Sequence, residues 1–130
     1  MRQVLVHNLS QPLVKPILAK YCDTFLCQLR GLTFRRELPL EEGLLLVQRR
    51  DSRWEAAIHM LGMSMDLTIV WINSRGMVVD VRFARRWRLI YLPCQPARYV
   101  LEIAPARLDD FRIGDEVGFV NIKEPHGHSL

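Results

Sequence analysis

The chain reads as a mainly β, α+β domain: an antiparallel sheet folded over on itself, or an open barrel, with two or three short helices. Three observations carry that expectation. Short runs rich in β-branched and aromatic residues recur along the chain, the clearest being Leu67-Thr68-Ile69-Val70-Trp71-Ile72. Turn residues separate such runs, as in Asn73-Ser74-Arg75-Gly76. Apolar residues at helical spacing occur only in brief stretches.

Taken in order, Val4-Leu5-Val6 is a first strand. Pro16 can open a turn of helix through Tyr21, because proline suits the first helical position. Asp23 or Thr24 can cap a second helix carrying Phe25, Leu26, Leu29 and Leu32, with Gly31 placed to end it. Leu44-Leu45-Leu46-Val47 is a continuous apolar run suited to a buried strand, and Ala57–Met60 suits another short one. Leu67–Ile72 and Met77–Phe83 form a hairpin about the turn at 73–76. In its second strand Met77, Val79, Val81 and Phe83 alternate with Val78, Asp80 and Arg82, which predicts that the first four face the core. Arg98–Ile103 is a further strand, Pro105 opens a short helix through Phe111, and Gly114-Asp115-Glu116 turns the chain into a last strand, Val117–Ile122. Short connections imply antiparallel pairing.

A chain of 130 residues suits one domain, expected over 1–123, with 124–130 as a tail. Its apolar fraction of 49% is too high for disorder, and no run approaches the ~20 apolar residues of a membrane span. The N-terminal stretch is broken by His7, Asn8 and two prolines, unlike a signal peptide, so a cytoplasmic location is expected. Cys22, Cys27 and Cys94 lie in apolar surroundings and read as buried free thiols; the first two lack C-x-x-C spacing.

Read together, several blocks are similar to one family. Gly31-Leu32-Thr33-Phe34-Arg35, then Leu38-Pro39 with Glu42-Gly43-Leu44, are followed by Ile58-His59-Met60, Met63 and Leu67–Ile72. Gly76 with Val78-Val79, Arg86-Trp87-Arg88, Ala97 with Val100-Leu101-Glu102-Ile103, and Gly114-Asp115-Glu116-Val117 complete the series. In this order the blocks resemble the domain-of-unknown-function 192 family of small bacterial and archaeal proteins, over a core of about 29–119. Arg86 stands where many members carry proline. Asp66 lies two positions before the family's usual acidic residue, which corresponds here to Thr68; either the acidic group has moved, by about 7 Å on a strand, or it is lost. The resemblance implies a fold and carries no established activity.

The densest chemical feature is Arg82-Phe83-Ala84-Arg85-Arg86-Trp87-Arg88. Arginine makes planar, forked contacts to carboxylate or phosphate, and indole faces attract cations and stack on rings. The chain holds 15 Arg against 3 Lys, for a net charge of +4. Arg85, Arg86, Trp87 and Arg88, with His59, are therefore the expected ligand-binding residues. His59 is the other candidate, since histidine titrates near neutrality, and Glu55 or Asp66 could orient it. No Gly-x-Ser-x-Gly, phosphate loop or metal-ligand spacing is present, so no cofactor and no metal are expected; His126 and His128 in the tail lack further ligands. Three classes of function fit. The first is a non-enzymatic module for a small anionic ligand or an acidic protein partner. The second is a nucleic-acid binder using Arg82–Arg88, expected to bind weakly. The third is a small enzyme using His59.

Overall fold

The computed structural model of the chain describes residues 2–32 and 35–122. Thr33 and Phe34 of the first family-like block, the domain end at Lys123 and the tail with His126 and His128 lie outside the described residues. Among the described residues seven strands form one sheet: β1 (Gln3–Asn8), β2 (Ile17–Cys22), β3 (Glu42–Ser52), β4 (Leu67–Ile72), β5 (Val78–Ala84), β6 (Ala97–Ile103) and β7 (Val117–Ile122). Helix α1 spans Phe25–Arg30, and a 3₁₀ helix spans Pro105–Asp110. The strand order is β5-β4-β6-β3-β2-β1-β7. No helix among the described residues is long and apolar enough to cross a membrane.

The sheet folds over without closing, and one corner draws its two ends together. Met77 bridges Glu116 just ahead of β5 and β7, and the Val117 N–H donates to the Gly76 carbonyl at 2.8 Å. Gly76 allows this approach. Its φ is +85°, and a Cβ there would lie 2.9 Å from that Val117 carbonyl oxygen.

Every strand contributes to one buried face, with Val6, Ile17, Leu45, Ile72, Leu101 and Val117 among its residues. The opposite face of β3, β4 and β6 carries Leu46, Leu67, Ile69, Trp71 and Val100, covered by Ala56, Ile58, Met60 and Tyr91 from the loops. Burial on both faces explains why β3 and β4 read as continuous apolar runs rather than alternating ones. Each such side chain contributes roughly 1.5–3 kcal/mol.

Several expectations need correction. The segment after Pro16 is a strand, not a helix: Ile17 and Ala19 are buried at a period of two, and tertiary burial outweighs the helix-opening proline. It runs parallel to β3, pairing Leu18 with Glu42 and Cys22 with Leu46, because α1 and its flanking loops supply a crossover instead of a hairpin. Ala57–Met60 makes only an isolated bridge, Ile58 to Tyr91. The β4–β5 hairpin is present, but its register shifts between Trp71 and Ile72. That bulge breaks the alternation. Val79 packs beside Trp71, whereas Val78 turns to the other core; Met77 and Phe83 are 43% and 42% exposed, and Asp80 is buried. The cysteines differ most. Cys22 and Cys27 form a disulfide that ties the end of β2 to α1, and Cys94 is exposed rather than buried.

Helix α1 begins and ends as expected. The Thr24 hydroxyl accepts from the Cys27 N–H at 3.2 Å, and Gly31, at φ +49°, donates its N–H to the Cys27 carbonyl.

Candidate functional site

Two loops, 53–66 and 85–96, zip into a ribbon over the face bearing Trp71. The buried side chains of Ile58, Met60 and Tyr91 anchor it from below. The Ile58 and Tyr91 backbones exchange hydrogen bonds of 2.9 and 2.7 Å. The Met60 N–H donates to Arg88 O at 3.0 Å, and the Trp87 N–H donates to Met60 O at 2.7 Å. Two further bonds lock the loops: the Trp71 indole N–H donates to Ala56 O at 2.8 Å, and the Arg85 N–H donates to the Tyr91 hydroxyl at 2.8 Å. Because Ile58 and Met60 point inward, the intervening His59 stands exposed on the same ribbon as Trp87 and Arg88. Residues expected to act together, 59 and 85–88, thus belong to one structural unit.

Their electrostatics differ. Arg86 is engaged within the chain: its Nε lies 3.1 Å from Asp66 Oδ1, its backbone N–H donates to the same oxygen, and its Nη1 donates to Ser64 O. The Arg86 side-chain hydrogen bond holds the Asp66 carboxyl below its ordinary range. Asp66 therefore serves Arg86. Arg88 lies over the Tyr91 ring at 5.1 Å. Neither Arg85 nor Arg88 has a carboxylate partner among the described residues. Between them Trp87 is 63% exposed and adopts φ +66°. A bulky residue avoids the left-handed region, so the ribbon's hydrogen bonds hold this tryptophan outward against its local preference. Leu89 and Ile90 extend an exposed apolar surface beside it.

Beneath the ribbon lies a cleft of about 230 Å³ between α1 and the 58–63 segment. His59 and Glu55 line it, and Glu102 of β6 lies among its apolar walls. Glu55 pairs with Arg50 at 3.1 Å. A second cleft of about 920 Å³ runs on the other side of Gly31 and Leu32, lined by Lys20, Cys27 and Arg35 among others. Arg85, Arg86, Trp87 and Arg88 line neither.

Glu102 lies outside the expected site residues, and its signal in the sequence is a lone carboxyl in Val100-Leu101-Glu102-Ile103. Burial pushes its pKa up to about 7. Arg107 is buried too, in a structural role: it donates to Asp110, Leu40 O and Lys15 O and fastens the 3₁₀ helix to two loops. Cys94 donates its thiol to Val79 O, and desolvation and Asp80 push that thiol up, the reverse of an activated nucleophile. No cluster of three or more potential metal ligands occurs among the described residues.

Residues 6–119 match the DUF192 family, described as "Uncharacterized ACR". The chain is 37% identical over 99 residues to a UPF0127 protein of Thermococcus gammatolerans, covering 75% of this chain and 63% of that one. It is 37% identical over 83 residues to a UPF0127 protein of Thermococcus kodakarensis, covering 64% and 51%. The chain thus spans less than two thirds of the length of either relative. A crystal structure of a protein of unknown function from Novosphingobium aromaticivorans shares the fold at a TM-score of 0.75 and 26% identity, over 89% of this chain and 83% of that one.

Proposed function

Given that the chain belongs to the DUF192 family, whose description specifies no activity, we propose a function from its own surface: a non-enzymatic binding module that takes an acidic segment of a protein partner on the ribbon bearing Arg85, Trp87 and Arg88. The observation that carries this reading is Trp87, held outward at φ +66° between Arg85 and Arg88, neither of which has a carboxylate partner among the described residues. Tryptophan and arginine are the residues that most often dominate protein interfaces, and strained backbone marks sites where function outweighs local stability. Positive charge around an apolar centre favours a partner carrying Asp or Glu beside an apolar side chain. A small anion is a weaker fit because these residues line neither cleft, whereas small-molecule sites are concave. Nucleic acid is weaker still, since one short segment offers too little area for stable duplex recognition.

The test titrates the protein with a Glu-rich peptide containing one Leu, with inorganic pyrophosphate, and with single-stranded RNA and duplex DNA at near-physiological salt. Saturable peptide binding that falls in Arg85→Ala and Arg88→Ala, in folded protein, supports the reading. Submicromolar RNA or DNA binding with a log–log salt slope of about −3 to −4, lost in the same variants, overturns it in favour of nucleic acid. Preferential pyrophosphate binding overturns it in favour of a small anion.

A second reading, a small enzyme using His59, draws support from the cleft that His59 shares with Glu55 and Glu102. It requires turnover that disappears in both His59→Ala and Glu102→Gln.

A further inference from the structure

Five polar or charged side chains are buried among the described residues: Asn8, Thr68, Asp80, Glu102 and Arg107. Four have evident structural work. Asn8 donates to Asp110 O and Asp115, and Thr68 donates to Pro105 O. Asp80 accepts from the Val81 and Cys94 N–H groups. Arg107 uses three of its nitrogens. Glu102 is the exception. It is 5% exposed, pairs in the sheet with Leu44 and Ile69, and receives no hydrogen bond or ion pair among the described residues. A carboxyl in an apolar wall costs free energy whether it ionises or stays protonated without an acceptor, so a purely structural Glu102 has no visible benefit.

The carboxyl is not sealed in. No fully inaccessible side-chain oxygen lacks a partner among the described residues, and Glu102 opens onto the 230 Å³ cleft. A cleft of that volume holds several waters, and so has room for a short chain and one polar head. Leu46, Met60, Met63 and Leu67 supply apolar walls around the acidic end. In the same cleft the Gln28 amide donates to Cys22 O and Val47 O and the Gln48 amide to Gln28 Oε1; neither donates to Glu102.

We infer that this cleft is a binding site for a small alkylammonium ligand, its ammonium on the Glu102 carboxylate and its chain against the apolar walls. An ammonium presents three donors to two vacant acceptor oxygens, and its charge offsets the cost of ionising a buried carboxyl. An anion would meet Glu102 head-on, and an alcohol would bring one donor and no charge. On the rim, Glu55 is already held by Arg50, which leaves Glu102 as the acceptor for the ammonium. The site is independent of the Trp87 ribbon surface, so either proposal can fail without the other.

The probe is n-butylammonium, with butyrate and n-butanol as controls, titrated into the full chain and followed by the methyl resonances of Leu46, Met60 and Met63. The expected result is saturable binding of butylammonium alone, weakened about tenfold to a hundredfold in Glu102→Gln. Should that variant not fold, the carboxyl resonance of Glu102 in the unaltered protein replaces it; its titration midpoint is expected to fall when butylammonium is added. Equal binding of butanol or butyrate would show an apolar hole without amine selectivity and overturn the proposal. So would an absence of saturable binding, or a Glu102 midpoint indifferent to butylammonium.

Discussion

The Trp71 indole N–H donates to the Ala56 carbonyl at 2.8 Å, joining the centre of β4 to the loop that carries His59. Both residues are fully buried, so no water competes for the bond. Trp71→Phe keeps most of the apolar volume and removes the donor. The stranded carbonyl is expected to cost about 1–3 kcal/mol, read as a lower urea midpoint at unchanged m. Faster amide exchange at Ile58 and Met60 should accompany it, because the ribbon loses its tie to the sheet.

Val79→Asp places a charge beside Trp71 and next to the buried Asp80 carboxylate. The expected loss is several kcal/mol, from desolvation of an unpaired charge and repulsion by its neighbour. Phe83→Asp, at an exposed position on the same strand, is expected to change stability by less than about 1 kcal/mol. Thermal melts of the two variants separate the faces of β5.

Glu102 gives a pH dependence with a defined sign. Its pKa is about 7 in the folded chain against an ordinary value of 4.5, so the folded state holds this proton more tightly. The folded protein therefore loses stability as pH rises from about 4.5 to about 7, and the penalty is complete above that range. At 1.36 kcal/mol per unit, the difference approaches roughly 3 kcal/mol. Glu102→Gln removes this contribution. The stability of the variant minus that of the original chain should climb across this window and level off above it, measured by urea melts at several pH values.

Trp87→Gly tests whether local strain is retained for a purpose. Glycine occupies φ +66° freely, and relief of the left-handed penalty is worth about 1 kcal/mol. The exposed ring gives up little burial in exchange. The variant is expected to melt no lower than the original and to bind the acidic peptide more weakly.

Reduction of the Cys22–Cys27 bond opens a small loop, five residues apart in sequence. The chain-entropy relation puts the loss at about 2 kcal/mol. A melt with and without reductant reads it directly, and Cys22→Ser should reproduce the reduced value.

The fold was readable where burial and pattern agree. β4 is β-branched and aromatic throughout and is buried at every position, so its strand character survives any choice of face. β5 was readable as a strand but not in its faces, since the bulge at Val79 is a register event that a single chain segment does not display. The parallel pairing of β2 with β3 depends on where α1 carries the chain, a long-range property. The Cys22–Cys27 bond depends on the same helix. At the site, Arg85–Arg88 and His59 were visible as residue types, and their union on one ribbon was not. Proximity in sequence makes Asp66 a candidate to orient His59, but its contact with Arg86 is a tertiary one. Glu102 stood in plain view in an apolar strand, but its lack of a partner among the described residues can be seen only in three dimensions.

One consequence of the sheet order concerns how the protein is made. β1 lies between β2 and β7 and pairs with β7 from Gln3↔Ile122 to Asn8↔Val117. During synthesis the first strand leaves the ribosome more than a hundred residues before its outer neighbour. Until Ile122 has emerged, β1 can find β2 but keeps one edge open, an invitation to pair with another nascent chain. Contacts this distant in sequence also slow folding, toward the millisecond-to-second range of β-rich domains. A stop codon ahead of Val117 would release a chain that leaves β1 as an edge strand and removes Val117 from the core. Such a product should collect in aggregates rather than persist as a shortened domain.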